Sequence, residues 1–146
     1  MSTQEKTSNR KTSELRIEAA VDNLDTVLGF LEEKLEAAAC PLKTQMQIAV
    51  AAEEIFVNVA QYAYAPNTGE VTVGVEISDE PRAVTVSFTD SGVPFNPLAR
   101  QDPDVSLSAE EREAGGLGIF MTKKLLDQLR YEYRDGQNVL SLTKRL

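Results

Sequence analysis

Apolar residues recur along the chain with two different periods. Leu15, Ile17 and Ala19 alternate with charged residues, the pattern of a short strand. Asp22 or Asn23 can cap a helix reaching about Ala39, in which Leu24, Val27, Leu28, Leu31 and Leu35 share one stripe. Pro41 suits the first turn of a second helix, about 42–64. "EVTVGVEIS" and "AVTVSFTD" alternate strictly and predict two strands joined by the turn "DEPR". "GLGIFMTKKLLDQL" reads as a helix, and "RYEYRDGQNVLSLTKRL" as a hairpin turning at Asp135-Gly136. The order of elements predicts an α+β fold. It would be a two-layer sandwich with helices on one face of a mostly antiparallel, mixed sheet.

Between the second strand of the central pair and the later helix lies "RQDPDVSLSAEEREAGG", polar, acidic and without period. A loop of roughly 17 residues is long for a compact domain, and such loops often serve as lids. The chain of 146 residues suffices for one domain with a real core. Residues 1–13 read as a disordered tail and 14–146 as that domain.

Charge and composition narrow the function. A net charge of -8 argues against a nucleic-acid or anionic membrane surface, although Lys123 and Lys124 are adjacent. The polar N-terminus has no apolar signal segment and no run is long enough to span a bilayer, so a cytoplasmic protein is expected. The single cysteine, Cys40, can form no internal disulfide and reads as a small buried hydrophobe. The absence of histidine excludes Ser-His-Asp and Cys-His chemistry and every His-containing metal site.

Three constellations remain. Glu54 and Asn58 lie at i and i+4 on the second helix, which is apolar nearly all round. They are either a satisfied polar pair at the helix edge, or an acid that accepts a proton one turn from an amide oxygen that ligates a hard cation. Glu53 points about 100° away from Glu54 and does not stack on Asn58. In "DSGVPF", Asp90, Gly92 and Pro94 follow a strand directly. These are turn formers. Asp90 could equally accept a hydrogen bond from an exocyclic amine at a sheet mouth, with Gly92 admitting a flat ring. Gly115, Gly116, Leu117, Gly118 and Ile119 open a helix. That is a hinge, or a ring of free N–H groups suited to phosphate. Neither a Walker A loop nor a Rossmann turn is present.

The three occur in a telling order. E-x-x-x-N on a helix, D-x-G-x-P-F after a strand, a long polar segment and G-G-L-G-I-F opening a helix together resemble the GHKL (Bergerat-fold) ATP-binding domains. The likeness is greatest to the stand-alone anti-sigma-factor serine/threonine kinases and runs from about residue 14 to 146. The resemblance implies ATP and Mg²⁺. Asn58 would hold the metal, Glu54 would be the general base, and Asp90 would bind the adenine amino group beside Gly92 and Pro94. Gly115, Gly116, Leu117, Gly118 and Ile119 would cradle phosphate, under an ATP lid at about 100–115 from which Arg100 or Arg112 could reach a phosphate oxygen. Two positions depart from many relatives: Tyr62 where they carry His, and Asn138 where they carry Thr.

By the same resemblance the partners would be a STAS-domain anti-sigma-factor antagonist, phosphorylated on Ser or Thr, and a sigma factor, with a homodimer plausible. A nucleotide-gated interaction module without phosphotransfer is the second reading, and an α+β domain that binds no nucleotide the third.

Overall fold

The structure, a computed structural model, describes residues 11–64, 67–79, 81–94, 96 and 124–146. Its elements in chain order are β1 (Lys11–Glu18), a 3₁₀ turn (Val21–Asn23), α1 (Leu24–Ala37), α2 (Leu42–Asn58) and a π-helical turn (Val59–Ala63). Four strands follow, β2 (Glu70–Asp79), β3 (Arg82–Asp90), β4 (Gln128–Arg134) and β5 (Gln137–Arg145). The sheet order is β1-β2-β3-β5-β4, and every described pairing is antiparallel. The α+β sandwich is therefore as expected, but no parallel pair mixes the sheet among the described residues.

Alternation decides which face meets the helices. Val71, Val73 and Val75 of β2, Val84, Val86 and Phe88 of β3, and Leu140 and Leu142 of β5 are buried. They pack with Val27, Leu31 and Leu35 of α1 and Ile48, Ala52, Ile55 and Phe56 of α2 in one core. The intervening positions carry Thr72, Thr85, Ser87, Ser141 and Thr143, half-buried on the other face. Thr85 and Thr143 share a hydrogen bond there, hydroxyl to hydroxyl at 3.2 Å. A polar second face needs no covering layer, which limits the domain to two layers.

Several element ends differ from the sequence expectation. Residues 11–13, read as tail, belong to β1 and pair with Ile77, Glu76 and Val75. Asn23 does not cap α1 with its side chain; its Nδ2 donates to the Glu18 carbonyl at 2.9 Å and ties the turn back to β1. α1 ends in a Schellman turn: Cys40 N–H donates to Leu35 O at 3.0 Å and Ala39 N–H to Glu36 O at 2.9 Å, with Ala39 at φ 58°. Arg82 donates to the Ala38 carbonyl and ties this turn to the start of β3. Cys40 is buried as expected; burial pushes its thiol above the ordinary value, with Arg82 pulling the other way.

The second helix is α-helical only to Asn58 and then widens into the π turn. The helix expected over 116–129 has its first eight residues outside the described part; Lys124 and Leu125 are helical, but β4 has begun by Gln128. Asp127 is already tied to β5, its N–H donating to Thr143 O at 3.0 Å and its Oδ2 accepting from Arg145 N–H at 2.7 Å. The β4–β5 hairpin turns at Asp135-Gly136 as expected, with φ of 55° and 80°, positive at both central residues as a type I′ turn requires. Among the described residues no helix is long and apolar enough to cross a membrane.

Candidate active site

Period-2 alternation carries the core face of β3 through Val84, Val86 and Phe88 to Asp90 at the strand end. Asp90 therefore points toward the helix layer, not into solvent, and is only 5% exposed. A carboxylate there requires donors. Its Oδ1 accepts from Gly92 N–H at 2.8 Å and from Asn138 Nδ2 at 3.0 Å. Among the described residues nothing donates to Oδ2. One oxygen is thus held by the protein, and the other accepts from no described residue and is open to a further donor.

Asn138 stands directly opposite Asp90 in the β3–β5 register and is equally buried. Its Nδ2 also donates to Val93 O at 2.8 Å, and its Oδ1 accepts from the Tyr131 hydroxyl on β4. The 91–93 turn is held from the helix side as well. Val93 N–H donates to Ala63 O, the last residue of the π turn, at 2.9 Å. The Tyr64 hydroxyl donates to Glu70 O at 2.6 Å and accepts from Ser91 N–H at 2.8 Å.

Gly92 has a reason beyond a ligand. A Cβ there would lie 2.1 Å from Ala63 O and 2.6 Å from Ala63 C, so only glycine lets the turn close on the helix end. The sequence reading gave that space to a ring; the structure fills the Cβ position with the Ala63 carbonyl. Pro94 follows, exposed.

Five residues before Ala63 stands Asn58, 5% exposed, at the last α-helical position. Its Nδ2 donates to Glu54 Oε2 at 2.9 Å and to Glu54 O at 3.0 Å, so the i, i+4 pair meets as expected. Its Oδ1, although buried, accepts nothing among the described residues. The amide nitrogen is satisfied within the helix, and the amide oxygen has no partner among the described residues. A hard cation fits that oxygen, since Mg²⁺ takes one or two protein oxygens and fills its shell with phosphate and water. No group of three acidic or thiol ligands exists among the described residues to offer a rival cage. Glu53 is exposed and makes no part of the pair.

The structure therefore brings Asp90, Gly92 and Asn138 together at the sheet end and joins them through Ala63 to the helix that carries Glu54 and Asn58. Arg100, Arg112, Gly115, Gly116, Leu117, Gly118 and Ile119 lie outside the described residues, as does the expected lid. Tyr64 and Tyr131 escaped the sequence reading; their roles depend on strands far away in the chain, and no local motif marks them.

Residues 17–144 match the model of the histidine kinase-like ATPase domain. The chain belongs to that family. The histidine kinase-like ATPase domain here is 23% identical over 133 residues to the serine/threonine-protein kinase BtrW of Bordetella bronchiseptica, covering 91% of this chain and 93% of that protein. It is 26% identical over 115 residues to the serine-protein kinase RsbW of Bacillus cereus, covering 77% of this chain. The match takes in 66% of that RsbW, just under two thirds of its length. Among solved structures it resembles the crystal structure of the RsbU and RsbW domains of a Mycobacterium tuberculosis protein, with a TM-score of 0.64 and 21% identity over 92% of this chain. The chain spans only 32% of that longer one, and at this identity the likeness is one of fold. The GHKL resemblance read from the sequence is borne out, and membership of a family of ATPase domains makes ATP the nucleotide to expect.

Proposed function

We propose that the chain is an ATP-dependent serine/threonine protein kinase acting as an anti-sigma factor, which phosphorylates a STAS-domain antagonist and holds a sigma factor in a partner-switching circuit. The kinase names of its relatives support this reading. The observation that carries it is the pairing of a half-buried carboxylate, Glu54, with a buried amide whose oxygen is unengaged among the described residues, on the helix whose end bonds Val93 in the turn after Asp90. A domain that only bound nucleotide would have no use for a base there.

Each residue then has one task. Asp90 Oδ2 accepts from the adenine amino group, while Gly92 and Pro94 shape the turn beside it. Asn58 Oδ1 ligates Mg²⁺, which when bound neutralises phosphate charge. Gly115, Gly116, Leu117, Gly118, Ile119 and Arg112 are assigned to the phosphates on sequence grounds. The Glu54 carboxylate takes the proton of the substrate Ser or Thr hydroxyl as its oxygen bonds to the γ-phosphorus. The bond from that phosphorus to the ADP oxygen breaks and ADP leaves. Such transfer depends on positioning and charge more than on covalent chemistry, so a site without histidine suffices. The reading includes a homodimer. The outer edge of β1, unpaired among the described residues, and the exposed Leu42, Met46 and Val50 on α2 are its candidate surfaces, and sedimentation would decide the state.

The test is Glu54→Ala against a purified STAS-domain protein of the same organism. ATP binding is expected to persist while transfer falls by about 10²–10⁴-fold, the usual contribution of a general base. Transfer at the wild-type rate in the variant would remove Glu54 from the role. Tight ATP binding with no transfer by the wild type would leave a nucleotide-gated interaction module.

A further inference from the structure

Asn138 sits where its amide has only one workable orientation. The Nδ2 end faces three acceptors, Asp90 Oδ1 at 3.0 Å, Val93 O at 2.8 Å and Gly92 O at 3.5 Å, so the oxygen end faces Tyr131. The Tyr131 hydroxyl must then be the donor. The result is a directed chain: phenol O–H to amide oxygen, amide N–H to carboxylate. It crosses from the edge strand β4 through β5 to the end of β3. Polarisation along such a chain strengthens each bond, and low exposure of Asp90 and Asn138 raises the stakes of breaking it.

The chain bears on Asp90 in a particular way. Asn138 and the Gly92 N–H both address Oδ1, so they fix the rotation of the carboxylate and leave Oδ2 turned to a ligand. We propose that Tyr131 and Asn138 are positioning residues for base selection: they hold Asp90 so that Oδ2 meets the exocyclic amine of a purine. Neither touches the base. The inference rests on the nucleotide reading above and adds that selectivity is set from the edge strand. A purine bearing a carbonyl in place of the amine presents an acceptor to the Oδ2 acceptor and gains nothing from this orientation.

The experiment compares ATP with inosine triphosphate, which carries the carbonyl, by calorimetric titration in Mg²⁺. Wild type is expected to prefer ATP. Tyr131→Phe removes one oxygen from a half-buried ring and should weaken ATP roughly five- to tenfold, the worth of about one hydrogen bond, while leaving inosine triphosphate within twofold. Asn138→Val and Asn138→Thr match in shape and differ in a hydroxyl that can donate to Asp90. The Thr variant should keep more of the preference than the Val variant. Both nucleotides weakening together in Tyr131→Phe, or a preference equal to wild type in Tyr131→Phe, would overturn the positioning role while sparing the nucleotide site. No ATP binding by folded wild type would overturn both.

Discussion

Replacing Gly92 by alanine tests the junction on which the site depends. The new Cβ would start 2.1 Å from Ala63 O, 2.6 Å from Ala63 C and 2.8 Å from Ala63 Cβ. Two of these are backbone atoms, which cannot rotate away as a side-chain tip would. To restore an ordinary contact of 3.4 Å the turn must retreat by about 1.3 Å. That motion stretches the 2.9 Å bond from Val93 N–H to Ala63 O beyond hydrogen-bonding range. Overpacking costs about 1–3 kcal/mol and the lost bond about 1 kcal/mol more, giving a loss of about 2–4 kcal/mol. For a chain of this size that is a fall in Tm of roughly 6–12 °C. Circular-dichroism melts with urea titration measure it, and ATP titration at a temperature where the variant is folded reads the displaced Asp90. A variant melting within about 2 °C of wild type, with ATP affinity unchanged, would refute the argument that glycine is required by the Ala63 carbonyl.

Two further substitutions probe neighbouring features. Tyr64→Phe removes the hydroxyl that bonds both Glu70 O and Ser91 N–H, and should lower stability by about 1–2 kcal/mol; the urea midpoint should fall with its slope unchanged. Ala39→Gly relieves an exposed left-handed residue at φ 58° and should raise stability by about 0.5–1 kcal/mol, seen as a higher urea midpoint.

Much of the site was legible because it rests on local periods. The i, i+4 spacing stacked Glu54 under Asn58, and strict alternation from Val84 to Phe88 put Asp90 on the core face. What was not legible depends on strands brought together from a distance. Tyr131 acquires meaning only when β5 inserts between β3 and β4, and Tyr64 only when the ends of β2 and β3 reach it; Asn138 stood out through the family resemblance, but its bond to Tyr131 did not. The segment "LLDQL" continues a helical apolar spacing, yet Asp127 pairs with Thr143 and Arg145, so tertiary contacts override the local pattern. The start of β1 was missed because Lys11, Thr12 and Ser13 are polar, and ladder bonds to β2 need no apolar side chain. The widening of α2 after Asn58 has no propensity signature at all.

The bond between Val93 and Ala63 gives the molecule a natural spectroscopic reporter. The Val93 amide is a backbone link between the turn after the strand end that holds Asp90 and the end of the helix that holds Glu54 and Asn58. Its proton can exchange with deuterium only when that bond opens. The protection factor of that one amide therefore measures how often the turn leaves the helix end, and its rise on adding nucleotide would measure how firmly a ligand holds the two together.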